Sequence, residues 1–293
     1  MEFESINDLV NLANREGTNI SDIVLSAESD STGLTKVYLI NRMQQNYTAM
    51  QQSVHEGLKK DMKSASKLSG GNAFKLNEAY KAKKIPQDIY TNAMIKALAI
   101  SEYNACMGRI VASPTAGSCG ILPAVLISAM EHYNFPEEDI VKSLFTAGGI
   151  GMVISKKATI SGAEGGCQAE CGSAAAMAAG ALTELLGGTP MMVSHACAIT
   201  LKSYMGLVCD PVAGLVEVPC VKRNALGSVN AISAASMAIS GIESAIPADE
   251  VIETMGVVGK QLPKELRETS MGGLAQTPTA KEISKRLHDS LSV

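Results

Sequence analysis

Apolar positions recur at helical spacing along nearly the whole chain, and two-residue alternation is almost absent. Residues 5–14 and 21–29 each carry such a stripe, with Ser21 or Asp22 as a cap for the second. Residues 36–63 form a long Met- and Gln-rich segment interrupted only by Gly57. The stretch 69–72, in SASKLSGGNAF, reads as a linker. It would set an N-terminal helical segment, 1–70, beside a larger helical region, 71–293, either separate from it or continuous with it.

Beyond residue 75 the rhythm is helix, Gly-rich break, helix. Residues 88–107 place Ile89, Met94, Ile95 and Leu98 at helical spacing and stop at Gly108. A loop with Pro114, Gly117 and Gly120 then feeds a helix carrying Pro123 in its first turn. Pro136-Glu137-Glu138-Asp139 opens another helix with acids at its positive end, and Gly148, Gly149 and Gly151 are expected to break it. The Ala-rich run 170–186 ends at Gly187-Gly188. Further helices are expected at 190–206, at 224–246 (capped by Asn224 or Ser228), at 248–259 and within 278–292. Only 215–218 looks like a strand. The pattern predicts a mainly α protein with Gly-rich loops, without tandem repeats or a βαβ rhythm.

Composition narrows the function. The 293 residues are 46% hydrophobic and 18% charged, enough for a large core in one or two domains. Fifteen Met, 26 Gly and no Trp suit closely packed helices. The net charge of −4 shows no basic face for nucleic acid. Lys81, Lys83 and Lys84 read as a solvated helix end. MEFESINDLV lacks the apolar core of a signal peptide, and no apolar run reaches the roughly 18 residues that span a bilayer. A cytoplasmic location follows, with no membrane partner. Seven cysteines in such a chain point to metal binding, catalysis or burial rather than disulfides.

The densest chemistry lies between Gly162 and Cys220. Cys167 follows GAEGG at a helix entrance, and Cys209 and Cys220 bracket DPVAGLVEVP. Pro211, Gly214 and Pro219 offer places to turn that segment back, bringing both thiols toward one centre. The helix after Cys167 would favour a net-negative thiolate-bound group. Spacing alone leaves the alternative open, because free cysteine is also a buried small hydrophobe and no ferredoxin-like run is present. Cys106, Cys119, Cys171 and Cys197 read as buried thiols. Cys171 is the rival ligand, since it shares a helix face with Cys167.

SPTAGSCGILPAVL, ISGAEGGCQAECGSAAAMAAGAL, GLVCDPVAGLVEVPCVKRNA and RETSMGGLA resemble the iron–sulfur-dependent L-serine dehydratases (L-serine ammonia-lyases). The chain is most similar to the separate α subunit of their two-subunit form. The resemblance implies a helical catalytic, cluster-binding domain and a [4Fe-4S] cluster held by Cys167, Cys209 and Cys220. It also implies L-serine as substrate and a β subunit as partner. Ser113, Thr115, Gly117 and Ser118 match the family's loop motif and are the candidates for the substrate's carboxylate and amine. Many relatives carry Asn where Ala116 stands.

Single-chain relatives draw a base from a Ser-Ser-Ser-His-Thr motif that is missing here, so the base is expected on the β subunit. Of His55, His132, His195 and His288, only His195 sits between the cluster motifs. Some relatives end in a cysteine that plugs the vacant iron; the tail AKEISKRLHDSLSV has none. Glu164, Glu170, Asp210 and Glu217 lie near the ligands in sequence and are candidates for orienting substrate or tuning the cluster. Three rivals stand beside this reading. One is a pyridoxal-phosphate lyase using Lys156 or Lys157, disfavoured by the missing α/β rhythm. The others are a cysteine desulfidase-like lyase and a non-catalytic iron–sulfur protein.

Overall fold

The computed structural model of the chain describes residues 2–291, with side chains to Asp289; Met1 and residues 292–293, which end the expected segments, lie outside the described residues. No strand occurs among the described residues, and the one β-type contact is an isolated parallel bridge between Cys209 and Arg267. The fold is mainly α, as the periodicity predicts. The run 215–218 is not a strand: the Val212 N–H donates to the Val218 carbonyl (2.9 Å), folding the segment back on itself.

Helices α1 (Ile6–Glu16), α2 (Ile20–Thr32) and α3 (Lys36–Gly57) form the N-terminal part. Ser5 caps α1 by accepting from the Asp8 N–H. The expected caps of α2 lie inside it instead. Ser21 is buried and Asp22 pairs with Lys142 at 2.9 Å, while Asn19 precedes the helix without a side-chain cap. Gly57 closes α3 where a Cβ would stand only 2.0 Å from the Ala99 carbonyl oxygen.

The expected linker is tied down. Glu102 is fully buried on α5 (Ile89–Ala105) and lies at the N-terminus of α4 (Asn72–Lys81). Its carboxylate accepts from the backbone N–H groups of Gly70, Asn72 and Ala73 at 3.0–3.1 Å and from Asn72 Nδ2 at 2.6 Å. An acid there satisfies orphan donors and meets the positive end of the helix dipole. Asp88 caps α5 by accepting from the Thr91 N–H.

After α6 (Ile121–Tyr133), α7 (Glu137–Lys157) runs unbroken through its three glycines. The expected break fails because partners crowd that face. A Cβ on Gly149 would sit 2.4 Å from Val24 Cγ2 on α2, and one on Gly151 would sit 3.0 Å from Met177 Sδ. Glycine costs about 1 kcal/mol of helix propensity, and close interhelical packing offsets it.

The single turn α8 (Gly162–Gly165) leads into α9 (Ser173–Leu185), the axis of the fold. Every residue from Ser173 to Thr183 is buried, as a helix apolar all round requires. Around it pack α6, α7, α10 (Pro190–Lys202) and α11 (Cys220–Ile239), with α12 (Ala248–Gln261) beyond α10. The last helix, α13 (Pro278–Leu291), lies against the turn Val212–Gly214. Helix α11 starts at Cys220 rather than at Asn224, so Asn224 is not its cap but a buried residue one turn into the helix, free to reach other elements. No described helix is long and apolar enough to cross a membrane.

Candidate metal and substrate site

Cys167 is delivered by a strained approach. Gly166 has φ +78°, and a Cβ on it would stand 2.8 Å from the Leu207 carbonyl oxygen and 2.7 Å from Leu262 Cδ1. Only glycine fits there. Cys167 then enters a single π turn, Gln168–Gly172, that runs directly into α9. Such turns are frequent at functional sites. Gln168 is fully buried and pins the turn. Its Nε2 donates to the carbonyls of Gly165 (2.9 Å) and Met255 (3.2 Å), and its Oε1 accepts from the Gly206 N–H (2.9 Å). Cys171, on the next turn, holds its Sγ 3.4 Å from that of Cys167.

Cys209 is fixed by the segment carrying RETSMGGLA. Its N–H donates to the Leu266 carbonyl (2.9 Å), and its carbonyl accepts from the Glu268 N–H (2.7 Å). Asp210 holds the same segment, accepting from the Leu274 N–H at 2.8 Å, and pairs with Arg223 at 3.1 Å. Arg223 also donates to the Val208 carbonyl at 2.8 Å. Cys220 opens α11, three residues before Arg223.

All three thiols are buried, and all seven cysteines are unpaired. They lie within one another's fields. Burial raises the Cys209 thiol, and the charges of Glu170, Cys167, Glu268 and Cys220 add to that. Burial likewise pushes Cys220 up to about 12, with Cys167 and Glu170 adding and Arg223 opposing. Cys167 is the exception: the hydrogen bond from Cys171 and the nearby Arg223 hold it below the usual thiol range. Ionising all three of these buried thiols beside a single guanidinium would be costly without a further cation. The donor set suits a cationic, thiolate-bound group such as an iron–sulfur core.

The substrate-loop candidates meet these cysteines through Glu170. Thr115 Oγ1 donates to Glu170 Oε1 at 2.9 Å, and Ser118 Oγ lies 3.1 Å from Thr115 Oγ1. The other carboxylate oxygen, Oε2, faces Cys209 Sγ at 3.9 Å. A Cβ on Gly117 would come within 3.2 Å of Glu170 Oε1. Burial raises the Glu170 pKa, and Glu268 adds to the shift. Ser113 is buried, and its Oγ has no hydrogen-bond partner in the structure. Asn224 clamps the loop onto α11: its Nδ2 donates to the Gly117 carbonyl (2.7 Å) and its Oδ1 accepts from the Gly120 N–H (2.9 Å).

The other candidates lie apart. His195 Nδ1 accepts from the Ser244 N–H at 3.2 Å. It stands six residues before Leu201, roughly 9 Å along α10; Leu201, with Tyr204, lines the space beside Gly172. His288 on α13 instead lines a groove with Ala213, Leu215 and Glu217, on the loop between Cys209 and Cys220. Glu217 accepts from Ser64 and Ser66, and Glu164 from Thr159. Of the four acids near the cysteines in sequence, only Glu170 joins the loop to a thiol. Sequence reasoning had missed the fixing roles of Gln168, Arg223 and Asn224. Their signal was position, one residue after Cys167 and three and four residues after Cys220.

The family model described as "Serine dehydratase alpha chain" matches residues 15–275, which include every one of these cysteines and the whole loop. The chain belongs to the serine dehydratase alpha-chain family. Among its relatives is the "Probable L-serine dehydratase, alpha chain" of Bacillus subtilis (strain 168), 47% identical over 287 residues, covering 97% of this chain and 95% of that one. The "L-serine dehydratase, alpha chain" of Peptoniphilus asaccharolyticus is 45% identical over 279 residues, covering 95% of this chain and 96% of that one. "L-serine dehydratase TdcG" of Escherichia coli (strain K12) is 37% identical over 286 residues. That match takes in 94% of this chain but only 62% of the longer protein. The resemblance carried by the four motifs is thus borne out at the level of the family.

Proposed function

We propose that this chain is the α subunit of an L-serine dehydratase, converting L-serine to pyruvate and ammonia, with a [4Fe-4S] cluster held by Cys167, Cys209 and Cys220. The observation that carries the reading is the contact of Glu170 with both the 113–118 loop and the buried Cys209 thiol, within whose field the buried Cys167 and Cys220 also lie, in a chain of this family. When bound, such a cluster supplies Lewis-acid chemistry at the iron without a protein thiolate, easing departure of a hydroxyl group.

The chain's own residues have distinct tasks. Arg223, seated on Asp210 and Val208, offsets thiolate charge at Cys167. Gln168 fixes the backbone that presents Cys167, and Asn224 holds the substrate loop one helical turn from Cys220. Ser113, Thr115, Gly117 and Ser118 line the place for the amino acid. Its Cα proton goes to a base on a β subunit. Two observations favour that: His195 is engaged at Ser244, and the match to the relative TdcG takes in only 62% of that longer protein. The aminoacrylate formed on loss of hydroxide tautomerises to an imine and hydrolyses in water. Seven unpaired cysteines suit a reducing compartment, and we assign the protein to the cytoplasm.

The test is a substrate panel. The α and β chains, loaded with iron and sulfide without air, are given serine, threonine and cysteine, and keto acid and ammonia are measured. Serine is expected to yield pyruvate and ammonia in equal amounts. Turnover of cysteine alone, with release of sulfide, would favour the desulfidase-like reading; retained iron without turnover of any of the three would favour a non-catalytic protein.

A further inference from the structure

The hydroxyls of the substrate loop are already engaged. Thr115 Oγ1 donates its only hydrogen to Glu170, so its contact with Ser118 is one in which Ser118 donates. Neither hydroxyl hydrogen is left to point at a substrate anion. Ser118's is turned toward Thr115, and Thr115's toward a carboxylate whose second oxygen faces Cys209. Glu170 and Glu268 each bring a carboxylate oxygen within 4.8 Å of the Cys209 sulfur and of each other. The nearby Arg223 pairs with Asp210, and Arg267 donates to the Glu164 carbonyl; no ion-pair partner of Glu170 or Glu268 occurs among the described residues. Glycines clear the space about Glu170. A Cβ on Gly162 would lie 2.8 Å from its Oε2, and one on Gly117 3.2 Å from its Oε1.

We propose that Glu170, oriented by Thr115 and assisted from the solvent side by Glu268, receives the ammonium group of the amino-acid substrate. This inference rests on the serine dehydratase reading and deepens it. The free amino acid brings one cation, and this corner of the site offers fixed negative charge without a protein cation to match it. The other end of the substrate is left to Ser113, the one of the three loop hydroxyls whose hydrogen is not already committed. The loop and Glu170 would thereby sort the two charged ends of one small molecule, selecting a 2-amino over a 2-hydroxy or unsubstituted acid.

The experiment compares L-serine with 3-hydroxypropionate, which keeps the carboxylate and the hydroxyl but lacks the ammonium. The loaded α–β enzyme and its Glu170→Gln, Glu170→Asp and Glu268→Gln forms are assayed for serine KM and kcat, for inhibition by 3-hydroxypropionate, and for iron content. Glu170→Gln is expected to retain its iron and raise the serine KM about 30-fold, the scale of a lost charged hydrogen bond. The inhibition constant of 3-hydroxypropionate should stay within about threefold, since it makes no such bond. Glu170→Asp should recover part of the loss, and Glu268→Gln should show a smaller shift in the same direction. Parallel weakening of serine and 3-hydroxypropionate, an unchanged serine KM, or loss of iron from Glu170→Gln would each overturn the proposal. Wild-type enzyme that makes no pyruvate from serine would instead overturn the dehydratase reading beneath it.

Discussion

Serine in place of Cys167, Cys209 or Cys220 is expected to remove iron and pyruvate formation together. All three side chains are buried, and the exchange of sulfur for oxygen nearly preserves shape, so the helices should persist. What changes is the donor. A hydroxyl stays protonated at neutral pH and is a poor ligand for an iron that prefers thiolate. A metal's electrophilic assistance is worth several kcal/mol, so activity should fall by about 10³-fold. Absorbance of the brown chromophore and pyruvate release, measured on each variant, check this. Cys197→Ser is the control: that thiol is fully buried on α10, and burial pushes it up to about 12. Cys171 is the sharper comparison, because its sulfur stands 3.4 Å from that of Cys167. If Cys171→Ser lost its iron while Cys209→Ser kept it, the assigned ligand set would be wrong.

The second large effect is on the chain by itself. Assayed without a β subunit, it should release pyruvate about 10²- to 10⁴-fold more slowly than the pair, the usual contribution of a positioned base. The histidines support that expectation. His195 accepts from the Ser244 backbone, His132 packs edge-on against Tyr133, and His55 on α3 is exposed beside Glu56. His288 is the one that borders the loop between Cys209 and Cys220. Initial rates with and without the partner chain decide the matter. Full activity of the lone chain, abolished by His288→Ala, would identify an internal base and contradict the assignment.

Much of this was legible in the sequence, for identifiable reasons. Helical periodicity survives wherever one face is buried, so α1, α5, α6 and α12 fall close to their expected places. Glycine misled where its role is tertiary. Gly149 and Gly151 look like breaks in isolation, but Val24 and Met177 fill the space a side chain would need. The start of α11 was placed four residues late because Asn224 resembles a cap. Its side chain instead joins the loop at 117–120 to α11, across more than 100 residues of sequence. The strand expected at 215–218 failed for the same kind of reason, since a backbone contact back to Val212 decides its shape. At the site, the motifs pointed to the three cysteines and the 113–118 loop. The contact of Glu170 with both was invisible, because it depends on the π turn after Cys167 bringing that carboxylate beside Thr115.

The most direct test of the central claim is the anaerobic iron and acid-labile sulfide content of the reconstituted enzyme, read beside its ammonia release from serine. The account predicts about four of each per α chain, falling in step with activity as the metal is stripped by a chelator. Iron-free enzyme that deaminates serine at full speed would contradict it.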